Sequence, residues 1–285
     1  MVKSSLDKKN KPYKHWQYLD SDTGDRLRIV PERGGLITQW RCNGREVLYF
    51  DLERFQLEGK SIRGGIPVLF PISGDLPDNL LTLPQGNFPM NQHGFARDLP
   101  WQINTLDDQN GVSLKLKANK QTKLSFPFLF MLEMQVRVEK NALSIKTFVQ
   151  NVGEEKMPFS FGLHPYFLVS HLDNIAIRGL PVTCQNHLDM KITSTDSQLQ
   201  KLSQGIDFLA ASQGPVSMTD SHTGARIEMH NQYPMDLAVV WTDPPRKMVC
   251  VEPWTSPRRS LITTERRLIL APGTSQSLVC RFVSN

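Results

Sequence analysis

The sequence has few of the features that would place it in several common classes of protein. No apolar run is long enough to cross a bilayer, because the most apolar stretch covers only residues 126–132 and contains Pro127. The four cysteines form no C-x-x-C motif, so neither a zinc ribbon nor a thioredoxin-like site is indicated. Since the first sixteen residues are polar and do not resemble a secretory signal, we expect a cytoplasmic protein with free thiols.

The charge of the chain and the absence of other motifs narrow the choice further. It has 33 basic and 28 acidic residues and a formal net charge of +5, with the basic residues mostly scattered. We therefore expect neither a nucleic-acid nor a membrane partner. The serine-hydrolase elbow G-x-S-x-G, the phosphate-binding glycine loops and H-E-x-x-H are all missing. A small molecule is the expected partner, bound by a monomer or weak dimer.

Alternation of apolar and polar residues is the dominant pattern of the sequence. It covers residues 112–118, 134–138 and 143–149, and it predicts strands with one face on a core and one toward water. Asn43-Gly44 predicts a tight hairpin of type I′, and a short helix is expected within residues 50–60. We predict an all-β protein, a large antiparallel β-sandwich, with a flexible segment at 1–15 and a single domain over 16–285.

Four segments interrupt the alternation: RGGIPVLFP (63–71), QHGFARDLPW (92–101), FGLHPYF (161–167) and VCVEPWTSP (249–257). Each places an arginine, histidine or glutamate beside glycine or proline, which allow close backbone approach and stiffen turns. Pocket walls have this composition, but so do the corners of β-sandwiches. The structural alternatives are a backbone-bonded histidine at His164 and, at Glu252, a carboxylate paired with Arg258 or Arg259.

Taken together, these segments resemble the glucose-6-phosphate 1-epimerases, a branch of the aldose 1-epimerase superfamily. R-G-G-I-P, Q-H-G-F-A-R, G-L-H-P-Y-F and V-E-P-W occur in the order of that family and at similar long spacings over residues 63–254. The resemblance implies a galactose mutarotase-like supersandwich, no cofactor, no metal, and interconversion of the α and β anomers of an aldose. One departure is the long loop at residues 72–91, between the first two segments.

The resemblance also implies roles for individual residues. His164 would be the general acid and Glu252 the general base, while the substrate would be bound by Arg63, Gln92, His93, Arg97 and Asp207. Such a pair suits the opening of a sugar ring, which removes a proton from O1 and delivers one to the ring oxygen O5. A carboxylate and an imidazolium are both available near neutral pH. Since arginine binds phosphate through a fork of donors, we expect a hexose 6-phosphate such as glucose 6-phosphate.

Two other functions stay open at this point. A glycoside hydrolase on the same fold would use paired carboxylates, for which Asp207 and Glu252 are available. A non-catalytic carbohydrate-binding protein would need aromatic and polar groups in its pocket, but no His–Glu pair. A hydrolase would release new reducing ends from oligosaccharides, and a binding protein would take up sugar without accelerating anomer exchange.

Overall fold

Strands dominate the structure, as the alternating pattern predicts. The structure is a computed structural model and describes residues 5–57, 59–108 and 110–285. In the first half of the chain the strands are β1 (Ser5–Lys9), β2 (His15–Leu19), β3 (Arg26–Val30), β4 (Leu36–Cys42), β5 (Arg45–Glu46), β6 (Val68–Leu69), β7 (Leu80–Leu83), β8 (Gly86–Pro89), β9 (Gln102–Thr105), β10 (Gly111–Lys117), β11 (Phe130–Glu139) and β12 (Ala142–Asn151).

The second half continues with short strands around two longer ones. They are β13 (Met157–Phe159), β14 (Gly162–Leu163), β15 (Tyr166–Leu168), β16 (Ile175–Arg178), β17 (Thr183–Asn186), β18 (Ile192–Ser194), β19 (Asp207–Ala211), β20 (Val216–Asp220), β21 (Arg226–Asn231), β22 (Leu237–Trp241), β23 (Met248–Trp254), β24 (Leu268–Leu270) and β25 (Ser275–Ser284).

The helices are short and lie between strands. The α-helices are α1 (Leu52–Gln56), α2 (Lys120–Lys123), α3 (Thr195–Leu199) and α4 (Ser260–Thr263), and the 3-10 turns are Pro77–Asn79, Ala96–Asp98, Leu172–Asn174 and Leu202–Gln204. Helix α1 confirms the short helix expected within residues 50–60. It begins after Asp51, whose Oδ1 accepts a hydrogen bond of 3.0 Å from Arg54 N. None of the described helices is long and apolar enough to cross a membrane.

The local β predictions are confirmed. Strands β10, β11 and β12 form an antiparallel meander in which Val112 lies opposite Val136, and Val136 opposite Ile145. The side chains at these three positions are buried. The β4–β5 hairpin turns at Asn43 and Gly44, whose φ angles of 51° and 74° are the positive values that a type I′ turn requires.

Two large antiparallel sheets enclose the main core. Over the described ranges, one sheet has the order β16-β20-β21-β25-β12-β11-β10-β9, and the other β18-β17-β19-β22-β23-β14-β6, with β15 also paired to β23. The rings of Phe167 on β15 and Phe282 on β25 lie 5.5 Å apart, so the two sheets face each other. Strands β1 to β5 add a third sheet, and one continuous apolar cluster joins all three. The predicted antiparallel sandwich is therefore confirmed.

The start of the chain forms a β-hairpin on both sides of the predicted boundary at residue 15. Strand β1 pairs with β2, with Ser5 opposite Leu19 and Lys9 opposite His15. The predicted boundary thus falls inside a β-hairpin that belongs to the third sheet. Residues 1–4 lie outside the described residues, and the flexibility of the segment stays a prediction.

The loop at residues 72–91 has regular structure of its own. It contains the Pro77–Asn79 turn and the small hairpin β7–β8, in which Leu81 lies opposite Phe88. The buried Leu81 ties this hairpin to the main core. At the start of the loop Ser73 Oγ donates to Ser256 O at 3.3 Å, so residues 73–75 lie close to the end of β23.

Candidate active site

Strand β23 and the two short strands beside it hold the predicted acid–base pair. Alternate residues of a strand point to the same side, so Glu252 shares its face of β23 with Trp254. Strand β14 pairs with the end of β23, and β15 pairs with its start. His164 lies in the chain between β14 and β15, and this pairing brings it opposite Glu252.

The pair is close and shielded from water. His164 Nε2 lies 3.4 Å from Glu252 Oε1, and the two side chains are 11% and 2% exposed. Glu252 Oε2 accepts a hydrogen bond of 3.0 Å from Trp254 Nε1. The ring of Tyr166 stacks on the His164 ring at 4.7 Å with an angle of 10°. Both members of the pair are thus held by an aromatic neighbour.

All seven residues singled out in the sequence line one cavity of about 290 Å³. They are Arg63, Gln92, His93, Arg97, His164, Asp207 and Glu252. Among the other residues in its wall are Ser61, Tyr166, Trp241, Trp254 and Arg258. Its volume is close to the lower end of the range for small-molecule pockets, which is enough for a single sugar ring. The structure brings the residues together, while their individual roles stay predictions.

His93 stands on a strained turn that fixes its ring. Its φ angle is 66°, in the left-handed region, and the next residue, Gly94, has φ of 70°. A Cβ on Gly94 would lie 2.2 Å from Phe70 O, so only glycine fits there. The Nδ1 atom of His93 accepts a hydrogen bond of 3.0 Å from Gly74 N. Because Nδ1 is an acceptor, the ring proton is on Nε2.

The two predicted arginines are each only partly engaged by the protein. Arg63 Nε lies 3.5 Å from a carboxylate oxygen of Asp243, and Arg63 Nη1 donates to Ser61 Oγ at 3.1 Å. Arg97 Nη2 donates to the backbone oxygen of Gln92 at 2.8 Å. A guanidinium has five N–H donors, so each arginine keeps donors for an anion in the cavity.

Asp207 is held from two sides. Its Oδ1 accepts a hydrogen bond of 2.7 Å from Nδ1 of His187, and its Oδ2 one of 2.6 Å from Nη2 of Arg258. The His187 side chain has no exposed surface. Each carboxylate oxygen keeps a lone pair for a further donor, such as a sugar hydroxyl.

Arg258 and Arg259 do not pair with Glu252, in contrast to the structural alternative considered for that carboxylate. Arg258 Nη1 lies 3.6 Å from Asp75 Oδ1, and Arg259 Nη2 donates to Asp75 Oδ2 at 3.0 Å. Sequence analysis missed Asp75 and His187 as parts of this network. The Arg-Arg pair soon after V-E-P-W was a signal in the sequence for this network. His187 could not be found in this way, since it sits in a polar stretch without a motif.

The surroundings of His164 and Glu252 shift their pKa values away from the imidazolium and the carboxylate expected from the sequence. Burial, and then the charges of Arg97 and Arg63, lower the pKa of His164 to about 3. Burial, and then the charge of Asp207, raise the pKa of Glu252 well above its usual value, although the Trp254 N–H acts in the opposite direction. The ligand-free pocket therefore favours a neutral imidazole and a protonated carboxyl group.

Three side chains of the site have donors suited to a metal. Ligand atoms of His164, Cys250 and Glu252 all lie within 4.8 Å of one another. The Cys250 thiol is packed in an apolar cluster, and burial raises its pKa well above the usual value. Since Arg63 and Arg97 also surround the site with positive charge, the electrostatics favour an anion over a cation here. The expected lack of a metal and a cofactor stays a prediction.

A second cavity of about 370 Å³ adjoins the first. The two cavities share Ser61, Arg97, His164 and Tyr166. Arg33 and Lys60 also line the second cavity. Glu252 lines the first cavity but not the second. Arg97 thus stands at the junction between the acid–base pair and a basic compartment.

Comparison with solved structures defines the class of protein. A galactose mutarotase-like protein of Clostridium acetobutylicum has a TM-score of 0.82 at 19% sequence identity, with 99% of each chain covered. A protein of Synechocystis sp. PCC 6803 has a TM-score of 0.91 at 33% identity, with 100% of this chain and 99% of that chain covered. The fold is that of the galactose mutarotase-like sandwiches, as the four segments suggested.

The chain belongs to the aldose 1-epimerase family, whose sequence profile matches residues 19–282. Curated relatives include a protein of Cenchrus ciliaris described as a candidate glucose-6-phosphate 1-epimerase, 30% identical over 160 residues. That match covers 52% of this chain and 45% of the relative. A protein of Escherichia coli K12 with the same description is 30% identical over 152 residues, 52% of this chain and 47% of the relative. The chain spans about half of the length of these curated relatives.

Proposed function

We propose that this protein interconverts the α and β anomers of a hexose 6-phosphate, with His164 and Glu252 as its acid–base pair. The observation that carries the proposal is the buried pair at 3.4 Å in one cavity with Arg63 and Arg97. An acid–base pair alone would serve any aldose, whereas two arginines in the same wall favour a substrate with a phosphate group.

The reaction needs two proton transfers and no covalent intermediate. Glu252 takes the proton of the anomeric O1 while His164 protonates the ring oxygen O5, and the pyranose ring opens. Rotation about the C1–C2 bond then exposes the other face of the aldehyde, and the reverse transfers close the ring as the other anomer. Each transfer by a placed side chain contributes about 10²–10⁴ in rate.

A bound phosphate would also change the charge around His164. In the ligand-free pocket Arg97 and Arg63 act with burial to lower the pKa of His164. A phosphate dianion between these arginines offsets their charge and so raises the pKa of His164 again. Burial is still the largest cause of the low pKa of His164, so the phosphate restores only the part that the two arginines contribute.

Asp207 and His93 would orient the sugar. Asp207 has both carboxylate oxygens fixed by neighbours and accepts hydrogen bonds from sugar hydroxyls. His93 carries its ring proton on Nε2, because Nδ1 is occupied by Gly74 N, and it donates to a sugar oxygen. One side of the sugar thus meets an acceptor and the other a donor.

Anomer-exchange NMR on glucose 6-phosphate and free glucose, and on the corresponding galactose and mannose compounds, tests the proposal. We expect exchange above the uncatalysed rate, and a loss of about 10²–10⁴ in that rate for His164→Ala and for Glu252→Gln. The double variant should lose less than the product of both effects, because the pair acts as a unit. Near-normal exchange in either single variant would refute its role.

Matched controls separate these losses from general damage. Glu133→Gln changes a half-buried carboxylate on β11, and His171→Ala changes an exposed histidine paired with Asp173. Both positions lie outside the lining of the cavity, so both controls should keep normal exchange. A parallel incubation with oligosaccharides, analysed for new reducing ends, would detect a glycoside hydrolase. Sugar binding without exchange in the wild type would indicate a binding protein.

A further inference from the structure

The turn at Gly74 and Asp75, at the start of the 72–91 loop, reaches two walls of the sugar cavity. The backbone N–H of Gly74 donates to His93 Nδ1 at 3.0 Å, and the backbone N–H of His93 donates to Gly74 O at 2.7 Å. Asp75 contacts Arg258 and Arg259, whose guanidinium groups lie 3.6 Å and 3.0 Å from its two oxygens. Asp75 itself is not part of the cavity lining described above.

Arg258 carries the effect of Asp75 to the cavity. One end of its guanidinium, Nη1, faces Asp75, and the other, Nη2, donates to Asp207 Oδ2 at 2.6 Å. The Arg258 side chain is 15% exposed, so little water competes for these contacts. The ion pair with Asp75 at one end and the hydrogen bond to Asp207 at the other restrict how the planar guanidinium can turn, and this orientation directs its donor to Asp207.

The backbone of the turn is built around Arg258. Gly74 has a φ angle of +89°, and a Cβ added there would lie 2.5 Å from Cγ of Arg258 and 3.1 Å from its Cα. Glycine therefore lets the stem of Arg258 lie directly on the turn. Without that close approach, the guanidinium could not lie between the loop and Asp207.

We propose that Asp75 is a positioning residue of the sugar pocket, which aims the Asp207 carboxylate through Arg258, while the adjoining Gly74 peptide fixes the ring of His93. The 72–91 loop then determines which sugar hydroxyls the pocket accepts, although the loop itself does not touch the sugar. This inference rests on the proposed function, because it takes Asp207 and His93 as the groups that bind the sugar.

The adjacent arginines offer a matched comparison. Both Arg258 and Arg259 pair with Asp75, but Arg258 alone of these two also bonds Asp207. Arg259→Gln keeps a side chain of similar length at a position with φ of 62° and removes its ion pair. It should change kcat/KM by about twofold or less. Asp75→Asn should lower kcat/KM for glucose 6-phosphate about tenfold, the loss expected for one misaligned charge-assisted hydrogen bond.

Replacement of Arg258 distinguishes positioning from simple charge. Arg258→Lys keeps the positive charge but cannot face Asp75 and Asp207 at once, so it should lose activity about as much as Asp75→Asn. Near-normal activity of Arg258→Lys would show that charge suffices and would overturn the proposal. Arg258→Ala should have little further effect in an Asp207→Asn background. If the two effects multiply, Arg258 acts independently of Asp207 and the proposal is wrong.

A measurement on the free protein tests positioning without any activity. Nitrogen-15 NMR of the histidine rings should show the proton of His93 on Nε2 and that of His187 on Nδ1, since these tautomers follow from their hydrogen bonds. We expect Asp75→Asn to shift the ring signals of His93 and His187, and Arg259→Gln to leave them in place. Unchanged signals in Asp75→Asn would overturn the inference.

The two proposals can fail separately. Wild-type protein without anomer exchange would refute the proposed function, and the ring signals would still decide the positioning role. An active wild type with an Asp75→Asn variant of equal kcat/KM would refute the positioning role alone. Thermal melting shows whether Asp75→Asn is folded. If it is not, the Arg258→Lys comparison decides.

Discussion

Replacing Arg97 with alanine should separate phosphorylated from free sugars. Arg97 lies where the acid–base cavity meets the neighbouring basic compartment. One of its terminal nitrogens already donates to the Gln92 backbone, and Arg63 is shared with Asp243 and Ser61. We therefore count one free charge-assisted contact for each arginine, worth about 1.5–3 kcal/mol, or roughly 10–100-fold in kcat/KM.

The expected result differs in direction between the two sugars. With glucose 6-phosphate, Arg97→Ala and Arg63→Ala should each lower kcat/KM by roughly 10–100-fold. With free glucose the phosphate contact does not exist, and removing a cation raises the pKa of His164 toward its usual value. The exchange rate of free glucose should therefore stay the same or rise in Arg97→Ala. Uniform damage to the pocket would lower both rates together.

The assay is anomer-exchange NMR at several concentrations of each sugar, so that kcat and KM are obtained separately. Arg137→Ala serves as the control, since Arg137 pairs with Asp108 and lies outside the cavity lining. Equal losses on the two sugars in both arginine variants would refute the phosphate contact. A wild type without preference for glucose 6-phosphate would do the same, and a mutarotase of free sugars would then be the better reading.

Two further predictions concern Glu252. Trp254→Phe removes the N–H that donates to Glu252, so the pKa of Glu252 should rise and the acidic limb of the pH–kcat profile should move to higher pH. Trp101→Phe, whose indole donates to Ala96 O, should leave the profile in place. Because the pKa of Glu252 is raised in the folded protein, the contribution of Glu252 to stability should be lost as pH rises from the unfolded pKa, about 4.3, through the folded one. The Glu252→Gln variant has no such pH-dependent contribution. Its melting temperature should therefore rise relative to that of the wild type as the pH increases, and a difference in melting temperature that does not change with pH would contradict this prediction.

The local patterns of the chain determined most of the fold class. Alternation at residues 112–118, 134–138 and 143–149 requires one apolar face for each strand, and the structure buries that face in the β10–β11–β12 meander. Asn43-Gly44 determined a hairpin because these two residue types favour the positive φ angles of a type I′ turn and strand-forming residues flank them. Such features depend on neighbours in the sequence, and a single sequence is enough to predict them.

The motifs also determined which side chains to examine. His164, Glu252, Arg63, Gln92, His93 and Arg97 were chosen from four segments that resemble a known family. Asp207 was chosen from the same resemblance outside these segments, and the structure places all seven residues on one cavity. Only glycine fits at position 94, and the prolines of these segments fix φ, so the motif letters carry information about shape. Their catalytic and binding roles are still to be tested by the variants described above.

The tertiary structure alone decided the partners and the protonation of these groups. Asp207 meets His187 and Arg258, and Arg259 meets Asp75, from positions that are separated by 20, 51 and 184 residues. No local pattern encodes such pairings, because they depend on how sheets and loops pack. Sequence analysis assumed an imidazolium at His164, whereas burial and the nearby arginines favour the neutral ring. Desolvation and charge act through distance in space, and that distance exists only once the chain has folded.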